Sequence, residues 1–223
     1  MTITKQDTDV LRALQGLEDG RSSVRLRAAL AAGSAPDPRY VGKLVERCAV
    51  EPDFFVRDML TWALTRHPAS LTLPPLVREV RSESAQARSQ ALHTLSKIGD
   101  RRAWPAITRT LLCDPDDEVA RSAWRTAVVL VPYGEEPALA ALLATQLGRG
   151  VMETRRSLSR ALVALGEAVG PALRTAATAP DPHVRAHALA TQRLLADPDA
   201  DFGFAVEEAK RVVALDGFGE KGP

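Results

Sequence analysis

Residues 181–192, DPHVRAHALATQ, decide the fold because their pattern recurs along the chain. A short polar lead precedes an arginine, and small apolar residues follow that arginine at helical spacing. Self-similarity at a period of roughly 20 to 50 residues is typical of helical-repeat proteins. We call the arginine the anchor, and successive anchors are 32, 31, 33, 34 and 30 residues apart. The six anchors are Arg25, Arg57, Arg88, Arg121, Arg155 and Arg185.

The residues after each anchor follow the period of an α-helix. Positions three, six and seven after the anchor are apolar or small in nearly every copy. At about 100° per residue these positions lie on one helix face, so we predict that this face is buried. The column three residues after the anchor contains Ala28, Leu60, Ala91, Trp124, Leu158 and Ala188.

Another helix is predicted to precede each of the later anchor helices. A proline opens a short apolar segment there, and proline is tolerated in the first turn of a helix. These prolines are Pro75, Pro105, Pro137 and Pro171. The anchor helices themselves have acidic N-cap candidates, namely Asp53, Asp117 and Asp181.

A single helix pair cannot bury its apolar stripe, so the pairs must stack. We predict an all-α fold: a right-handed α-solenoid, or superhelix, of about six antiparallel helix pairs over residues 1–198. Residues 199–223 are predicted to form a C-terminal capping helix, at about 204–215, and a flexible tail, DGFGEKGP. The alternative is that this last segment docks in the groove or on a partner.

The repeat resembles the short HEAT-like repeats of the phycobilisome-lyase type. The matching signature is DP-x-VR-x-x-A-x-x-A-L followed by IGD, seen in DPHVRAHALA and ARSQALHTLSKIGD. The resemblance implies that the anchor arginines form a structural ladder, each pairing with an acidic residue or turn carbonyl of a neighbouring repeat. It also implies that the anchor helices line a concave surface.

The face opposite the predicted core supplies the candidate binding residues. Tryptophan and arginine are common anchors of binding surfaces, and Trp62 is predicted to face outward. The alternative is that Trp62 leans into the adjacent repeat. The predicted partner-binding residues are Asp58, Trp62, Ser89, His93, Arg125, Arg156 and Arg160.

One segment has a second resemblance. DFFVRDMLTWALTRHP, from Asp53, is similar to a stretch of the HEAT-like alkylpurine DNA glycosylases of the AlkD family. In that family the tryptophan, here Trp62, and a nearby arginine contact DNA. The chain departs from the pattern because Thr65 stands at the arginine position and no segment supplies the catalytic aspartate.

The charge is unevenly distributed along the chain. The formal net charge is +1, but residues 1–111 hold 17 basic and 12 acidic residues, while 112–223 hold 12 and 16. A nucleic-acid surface is therefore possible in the basic N-terminal half, where cations could contact phosphates. The candidate cations are Arg12, Arg21, Arg27, Arg39, Lys43 and Arg47.

Residues suited to catalysis or metal binding form no recognisable pattern. Cys48 and Cys113 belong to no CxxC pair, and His183 and His187 lack a third ligand nearby. We therefore predict no metal, no cofactor and no catalytic residue, and leave an enzymatic role open. The first residues, MTITKQDTDV, are not an apolar signal segment, so a cytoplasmic location without a membrane partner is expected.

These observations favour a non-catalytic scaffold or adaptor that binds a protein or peptide in its concave groove. The alternative is a nucleic-acid-binding protein, including a DNA glycosylase of the AlkD type.

Overall fold

The computed structural model describes residues 4–197 and 199–219, with side chains as far as residue 214. Within these ranges the chain is all-helical, as predicted, and contains thirteen α-helices, two short 3-10 helices and no strand. The 3-10 helices are Arg101–Ala106 and Gly166–Val169. The α-helices are α1 Lys5–Gly16, α2 Ser22–Ser34, α3 Tyr40–Val50, α4 Phe54–Thr65, α5 Ala69–Glu79, α6 Ala85–Ile98, α7 Arg109–Leu112, α8 Asp117–Leu130, α9 Glu136–Ala144, α10 Met152–Val163, α11 Gly170–Ala176, α12 Pro182–Ala196 and α13 Phe202–Gly219.

The helices are grouped into two compact units. The first unit is Met1–Ile107 and contains α1 to α6, and the second unit is Thr108–Pro223 and contains α7 to α13. The anchors open α2, α4, α6, α8, α10 and α12, so each unit contains three anchor helices.

Side-chain caps fix where the anchor helices begin. The carboxylate of Asp53 accepts hydrogen bonds from the N–H groups of Phe55 and Val56 at 2.9 and 3.1 Å, and Asp181 caps α12 in the same way. The predicted cap Asp117 is wrong, because Asp116 caps α8 and Asp117 is its first residue. Asp117 instead accepts hydrogen bonds from side chains of the next repeat.

Two of the four prolines begin their helices as predicted, since Pro137 and Pro171 lie in the first turns of α9 and α11. The prediction is wrong for Pro75, which lies inside α5 because that helix already begins at Ala69. It is also wrong for Pro105, which lies inside the 3-10 helix Arg101–Ala106. The carboxylate of Asp100 caps this 3-10 helix by accepting a hydrogen bond from the N–H of Arg102 at 3.0 Å.

The predicted core column is buried. Its six residues, three positions after each anchor, are at most 6% exposed. Trp124 is fully buried in the second unit, and its indole N–H donates to the carbonyl of Leu112 at 2.8 Å. A buried indole requires such a partner, which the end of α7 provides.

The last helix is longer than predicted. α13 begins at Phe202 rather than near residue 204, and it continues to Gly219 through part of the segment expected to be frayed. The rest of that segment, residues 220–223, lies outside the described residues. The apolar face of α13 packs against α12 in one cluster containing Ala186, Ala190, Leu194, Phe202, Ala205, Val206, Ala209 and Val213.

No helix in the described ranges combines the length and the apolar character needed to cross a membrane.

Candidate functional site

Four of the six anchor arginines share one hydrogen-bond pattern. In each of them Nη1 donates to the two carbonyls five and six residues earlier, as Arg57 does to Glu51 and Pro52 at 2.9 and 2.8 Å. These carbonyls belong to the turn before the anchor's own helix, and not to a neighbouring repeat as the resemblance implied. The arginine therefore closes the turn between the helices of its pair. The four are Arg25, Arg57, Arg88 and Arg185.

Arg25 also forms a buried ion pair with the next repeat. Its Nη2 and Nε each lie 2.7 Å from an oxygen of Glu51, which is fully buried and also accepts from Arg47. Burial alone would raise the pKa of Glu51, but hydrogen bonds from Arg25, the Asp53 N–H and Arg47 outweigh it and lower this pKa to about 2. The pair fixes α2 to the turn between α3 and α4.

The second unit departs from this pattern in its first two anchor helices. Arg149, from the turn before α10, donates to the carbonyls of Asp114 and Pro115 at 2.5 and 3.2 Å. The Pro115 carbonyl lies six residues before Arg121, so Arg149 occupies a position that the anchor fills in other repeats. Arg149 also pairs with Asp117 at 2.8 Å.

In the described part of the chain, the anchors of these two repeats, Arg121 and Arg155, do not donate to the carbonyls of the turns before their helices. Arg121 instead pairs with Glu118 on its own helix and with Glu153 on α10, each at 2.7 Å. Within the described part of the chain, the buried Nε atoms of Arg121 and Arg155 have no hydrogen-bond partner. A buried donor without a partner is uncommon in proteins and therefore marks this region as unusual.

A cleft of about 740 Å³ lies between α8 and α10. Arg121, which does not bond the turn before its helix, lies in its lining. One stripe of α8 and one stripe of α10 form its walls, at the spacings that place side chains on a single helix face. The wall on α8 consists of Arg121, Arg125, Val128 and Val129. The wall on α10, with the residue that follows that helix, consists of Glu153, Arg156, Ser157, Arg160, Ala161 and Ala164.

Three of the four arginines in this cleft are available to a ligand. Arg125 and Arg160 are exposed and Arg156 is half-buried. Across residues 4–197 and 199–214, none of the three guanidinium groups has a hydrogen-bond or ion-pair partner. Arg156 lies over the ring of Phe202 at 6.0 Å. The arginine cleft, as we call it, therefore has an uncompensated positive charge.

A second cleft, of about 440 Å³, lies on the other side of α10. It shares Arg156 and Arg160 with the arginine cleft, and its far wall includes Asp199, Asp201 and Phe202. The two arginines therefore stand on a ridge between a basic surface and an acidic one.

The predicted binding residues fall into two groups. The structure brings Arg125, Arg156 and Arg160 together around the arginine cleft in the second unit. Asp58, Trp62, Ser89 and His93 belong to the first unit, where Asp58 is exposed and His93 half-buried. Ser89 is 9% exposed, so its predicted outward position is wrong. A small hydroxyl side chain is easily covered by packing.

Trp62 is partly exposed and also packs against the adjacent repeat, so each of its two predicted positions holds in part. Its side chain is 37% exposed, yet its ring lies directly over Gly33 of α2. A Cβ atom at position 33 would lie 2.3 Å from Cζ3 of the indole, so Gly33 provides the space that the ring occupies.

Five of the six basic residues proposed for nucleic-acid binding are paired with carboxylates within the first unit. Arg12, Arg21 and Arg39 pair with nearby aspartates at 2.8 to 3.0 Å. Lys43 pairs with Glu18 and Glu46, and Arg47 pairs with Glu51. Arg27 donates to the carbonyl of Ser23, which leaves its charge in place. This local pairing does not support the nucleic-acid prediction.

A buried Ser–His pair in the second unit is structural. The N–H of Gly148 donates to Nδ1 of His187 at 3.0 Å, so the ring proton is on Nε2, which lies 3.0 Å from Oγ of Ser159. Nε2 therefore donates and cannot act as a base toward the serine. Burial lowers the pKa of His187 to about 4, which keeps the ring neutral.

Other reactive groups are also unsuited to chemistry. Burial raises the pKa of Cys48 to about 12, so it remains a thiol at neutral pH. In the described ranges, no group of three or more histidine, cysteine or acidic side chains is placed to bind a metal.

Arg121 was predicted as a member of the structural ladder, and its ion pair with Glu153 of the next repeat is the kind of contact that the ladder implies. The sequence pattern did not predict that Arg121 and Glu153 line a cleft. The available signal was the turn before α10, where Arg149 stands between two glycines, Gly148 and Gly150. Both glycines adopt positive φ angles, of 84° and 70°, and these angles aim Arg149 at the preceding repeat.

No protein-family model matches the chain, and no curated protein sequence matches it. Among solved structures, the chain is similar to one in the complex of CpcE and CpcF of phycocyanin lyase from Nostoc sp. PCC7120. The identity is 18% and the TM-score 0.38, over 92% of this chain and 94% of that chain. Nothing in these comparisons favours a DNA glycosylase or another nucleic-acid-binding protein.

Proposed function

We propose that this chain is a non-catalytic helical-repeat scaffold whose arginine cleft binds a segment of a partner protein. The observation that carries this proposal is the set of uncompensated guanidinium groups of Arg125, Arg156 and Arg160 around one cleft. Each guanidinium offers five donors in a planar fork, which suits carboxylates and backbone carbonyls.

The apolar lining of the cleft supports a protein ligand. Val128, Val129, Ala161 and Ala164 belong to the same two walls as the arginines, so the cleft presents both apolar and charged surface. Binding surfaces in proteins combine apolar contact with a few polar groups that fix orientation, and arginine is enriched among their strongest anchors. An extended peptide presents both kinds of group at short intervals.

The same residues favour binding rather than catalysis. Guanidinium groups keep their protons at neutral pH, so the arginines can hold an anion but cannot transfer a proton. In the Ser159–His187 pair, Nε2 of the histidine carries the ring proton and lies within hydrogen-bond distance of the Arg155 carbonyl as well as of the serine, so it is not a base for the serine.

The architecture around the cleft is part of this proposal. We propose that residues 1–198 form a right-handed superhelix of about six helix pairs and that residues 199–223 cap it. The packing of α13 on α12 supports the capping role over the docking alternative. We also propose a cytoplasmic location, where Cys48 and Cys113 would remain free thiols.

A pull-down with matched variants tests the function. The bait is the full chain, in wild-type form, as R125Q/R160Q, or as the control R109Q/R174Q, which removes two exposed arginines of the second unit outside the cleft. We expect proteins captured by the wild type to be retained by the control and lost with R125Q/R160Q. Equal capture by all three baits would show that the cleft is not the binding surface.

A further inference from the structure

The arginine cleft already contains one carboxylate, and this carboxylate comes from the chain itself. Glu153 reaches across from α10 and places Oε1 2.7 Å from Nη2 of Arg121 on α8. The side chain of Glu153 is 71% exposed, so packing does not force it into this position. We propose that the cleft binds an acidic peptide segment of a partner protein, and that Glu153 occupies one carboxylate position until the partner displaces it. This inference rests on the proposed function.

The ion pair between Glu153 and Arg121 is a single hydrogen bond. A carboxylate binds a guanidinium best through two parallel hydrogen bonds, whereas Glu153 accepts from Nη2 alone and Nη1 donates to Glu118. The side chain of Glu153 is mostly exposed, so this bond is a surface ion pair of small net strength. A ligand carboxylate can therefore displace Glu153 from the cleft at little cost.

The charges around the cleft favour carboxylates carried by a peptide over a nucleic-acid backbone. Glu153 lies within the cleft, and Asp199 and Asp201 line the adjoining one. A continuous phosphate backbone would meet these carboxylates at short range. Proteins that bind single-stranded nucleic acids also present aromatic side chains for stacking. Among the lining residues that the structure describes for the two clefts, the one aromatic ring is that of Phe202, which is 4% exposed.

The lining of the cleft favours a segment that carries acidic and apolar residues on the same side. Arg125, Arg156 and Arg160 offer three separate positions for carboxylates, and the valines and alanines of the same walls offer apolar contacts. Side chains two apart in an extended chain point in the same direction, so strict alternation of glutamate and leucine would place all glutamates on one side and all leucines on the other. A repeat of Glu-Glu-Leu-Leu instead presents both residue types on each side of the extended chain.

The test measures binding of a fluorescent ten-residue peptide with the repeat Glu-Glu-Leu-Leu by anisotropy. A peptide with the repeat Lys-Lys-Leu-Leu controls for apolar binding. We expect the acidic peptide to bind the wild type and to bind R125Q/R160Q at least about ten-fold more weakly, because charge-assisted hydrogen bonds to guanidinium groups are lost. R109Q/R174Q should bind as the wild type does.

The variant E153Q tests whether the ligand displaces Glu153 from Arg121. It should bind the acidic peptide about three-fold more tightly than the wild type, since an exposed competing ion pair is removed. The matched control is E118Q, because Glu118 is 69% exposed and also lies 2.7 Å from Arg121 but does not line the cleft. Equal affinities of E153Q and E118Q would overturn the displacement by Glu153.

Two further outcomes separate this inference from the proposed function. If the pull-down depends on Arg125 and Arg160 but the acidic peptide binds no better than the basic one, the partner class is wrong and the function stands. The partner class is also wrong if inorganic polyphosphate or duplex DNA binds through these arginines and the acidic peptide does not. If neither the pull-down nor the peptide responds to R125Q/R160Q, the proposed function itself fails.

Discussion

At the scale of single residues, the chain uses arginine for two different purposes. Arg25 is 6% exposed and closes a turn, whereas Arg125 is exposed and has no described partner. The residue type is the same, but its surroundings decide whether its donors are used internally or are available to a ligand. Position within the repeat distinguishes the arginines that close turns from the arginines that are available to a ligand. It does not do so for Arg121.

The buried pair of Arg25 and Glu51 predicts a large effect on stability. Replacing Arg25 by alanine leaves the carboxylate of Glu51 buried without its main partner, so we expect the free energy of unfolding to fall by about 3 to 5 kcal/mol. Urea unfolding followed by circular dichroism measures this loss. The control R21A removes a pair whose arginine is 75% exposed and should cost less than about 1 kcal/mol. Similar losses in both variants would contradict a special role for the buried pair.

His187 predicts how stability depends on pH. Its pKa is about 4 in the folded protein and 6.5 ordinarily, so the unfolded chain binds the proton more readily. The contribution is present above pH 6.5 and is lost as the pH falls toward 4, with about 2 kcal/mol lost between pH 7.5 and pH 5.

Urea unfolding at several pH values checks this contribution. H187N should lose this part of the pH dependence, while H183Q, four residues earlier and exposed, should keep it. An unchanged pH profile in H187N would show that another group is responsible.

At the scale of elements, the contact between α2 and α4 depends on one glycine. An alanine at position 33 would place Cβ 2.3 Å from the ring of Trp62 and 2.9 Å from Cα of Ala63. We therefore expect G33A to destabilise the protein by about 1 to 3 kcal/mol, although alanine favours helices more than glycine does.

The matched control for this contact is G42A, at an exposed position of α3 where nothing lies within 4 Å of the added atom. It should stabilise the protein by up to about 1 kcal/mol. Thermal unfolding of the two variants measures both effects. A stabilised G33A would mean that the ring of Trp62 moves aside without cost.

At the scale of the whole molecule, net charge does not indicate where the binding surface lies. The first unit holds 16 basic and 12 acidic residues, yet most of its proposed phosphate contacts are paired. The second unit holds 13 basic and 16 acidic residues, yet it contains the arginine cleft. Local pairing, and not the total, determines which charges a partner meets.

The C-terminal helix predicts how the chain depends on its last segment. A chain ending at Asp197 would expose the apolar face of α12 that now packs on α13, including Ala190 and Leu194. We expect this chain to lose at least about 4 kcal/mol of stability, because several apolar side chains become exposed to water.

A chain ending at Gly219 keeps all of α13 and serves as the control. Thermal unfolding and binding of an apolar dye distinguish the two chains. Equal stability would favour the docking alternative for the last segment over the capping role.

The sequence by itself determined the helices and their buried faces. Within one repeat, Leu60, Ala63 and Leu64 stand three, six and seven residues after Arg57 and are all buried, because a period near 3.6 places them on a single helix face. Local rules sufficed there, as they did for the caps at Asp53 and Asp181. Three of the residues around the cleft, Arg125, Arg156 and Arg160, were also found from their position in the repeat.

The tertiary structure alone decided which arginines are free. Arg121 has the same place in its repeat as Arg57, but Arg149, 28 residues later in the chain, donates to the carbonyl of Pro115 in its turn. A hydrogen bond between repeats depends on how two helix pairs pack. The sequence period of a single repeat does not indicate that packing. The same holds for Glu153, whose carboxylate reaches Arg121 because α10 lies against α8.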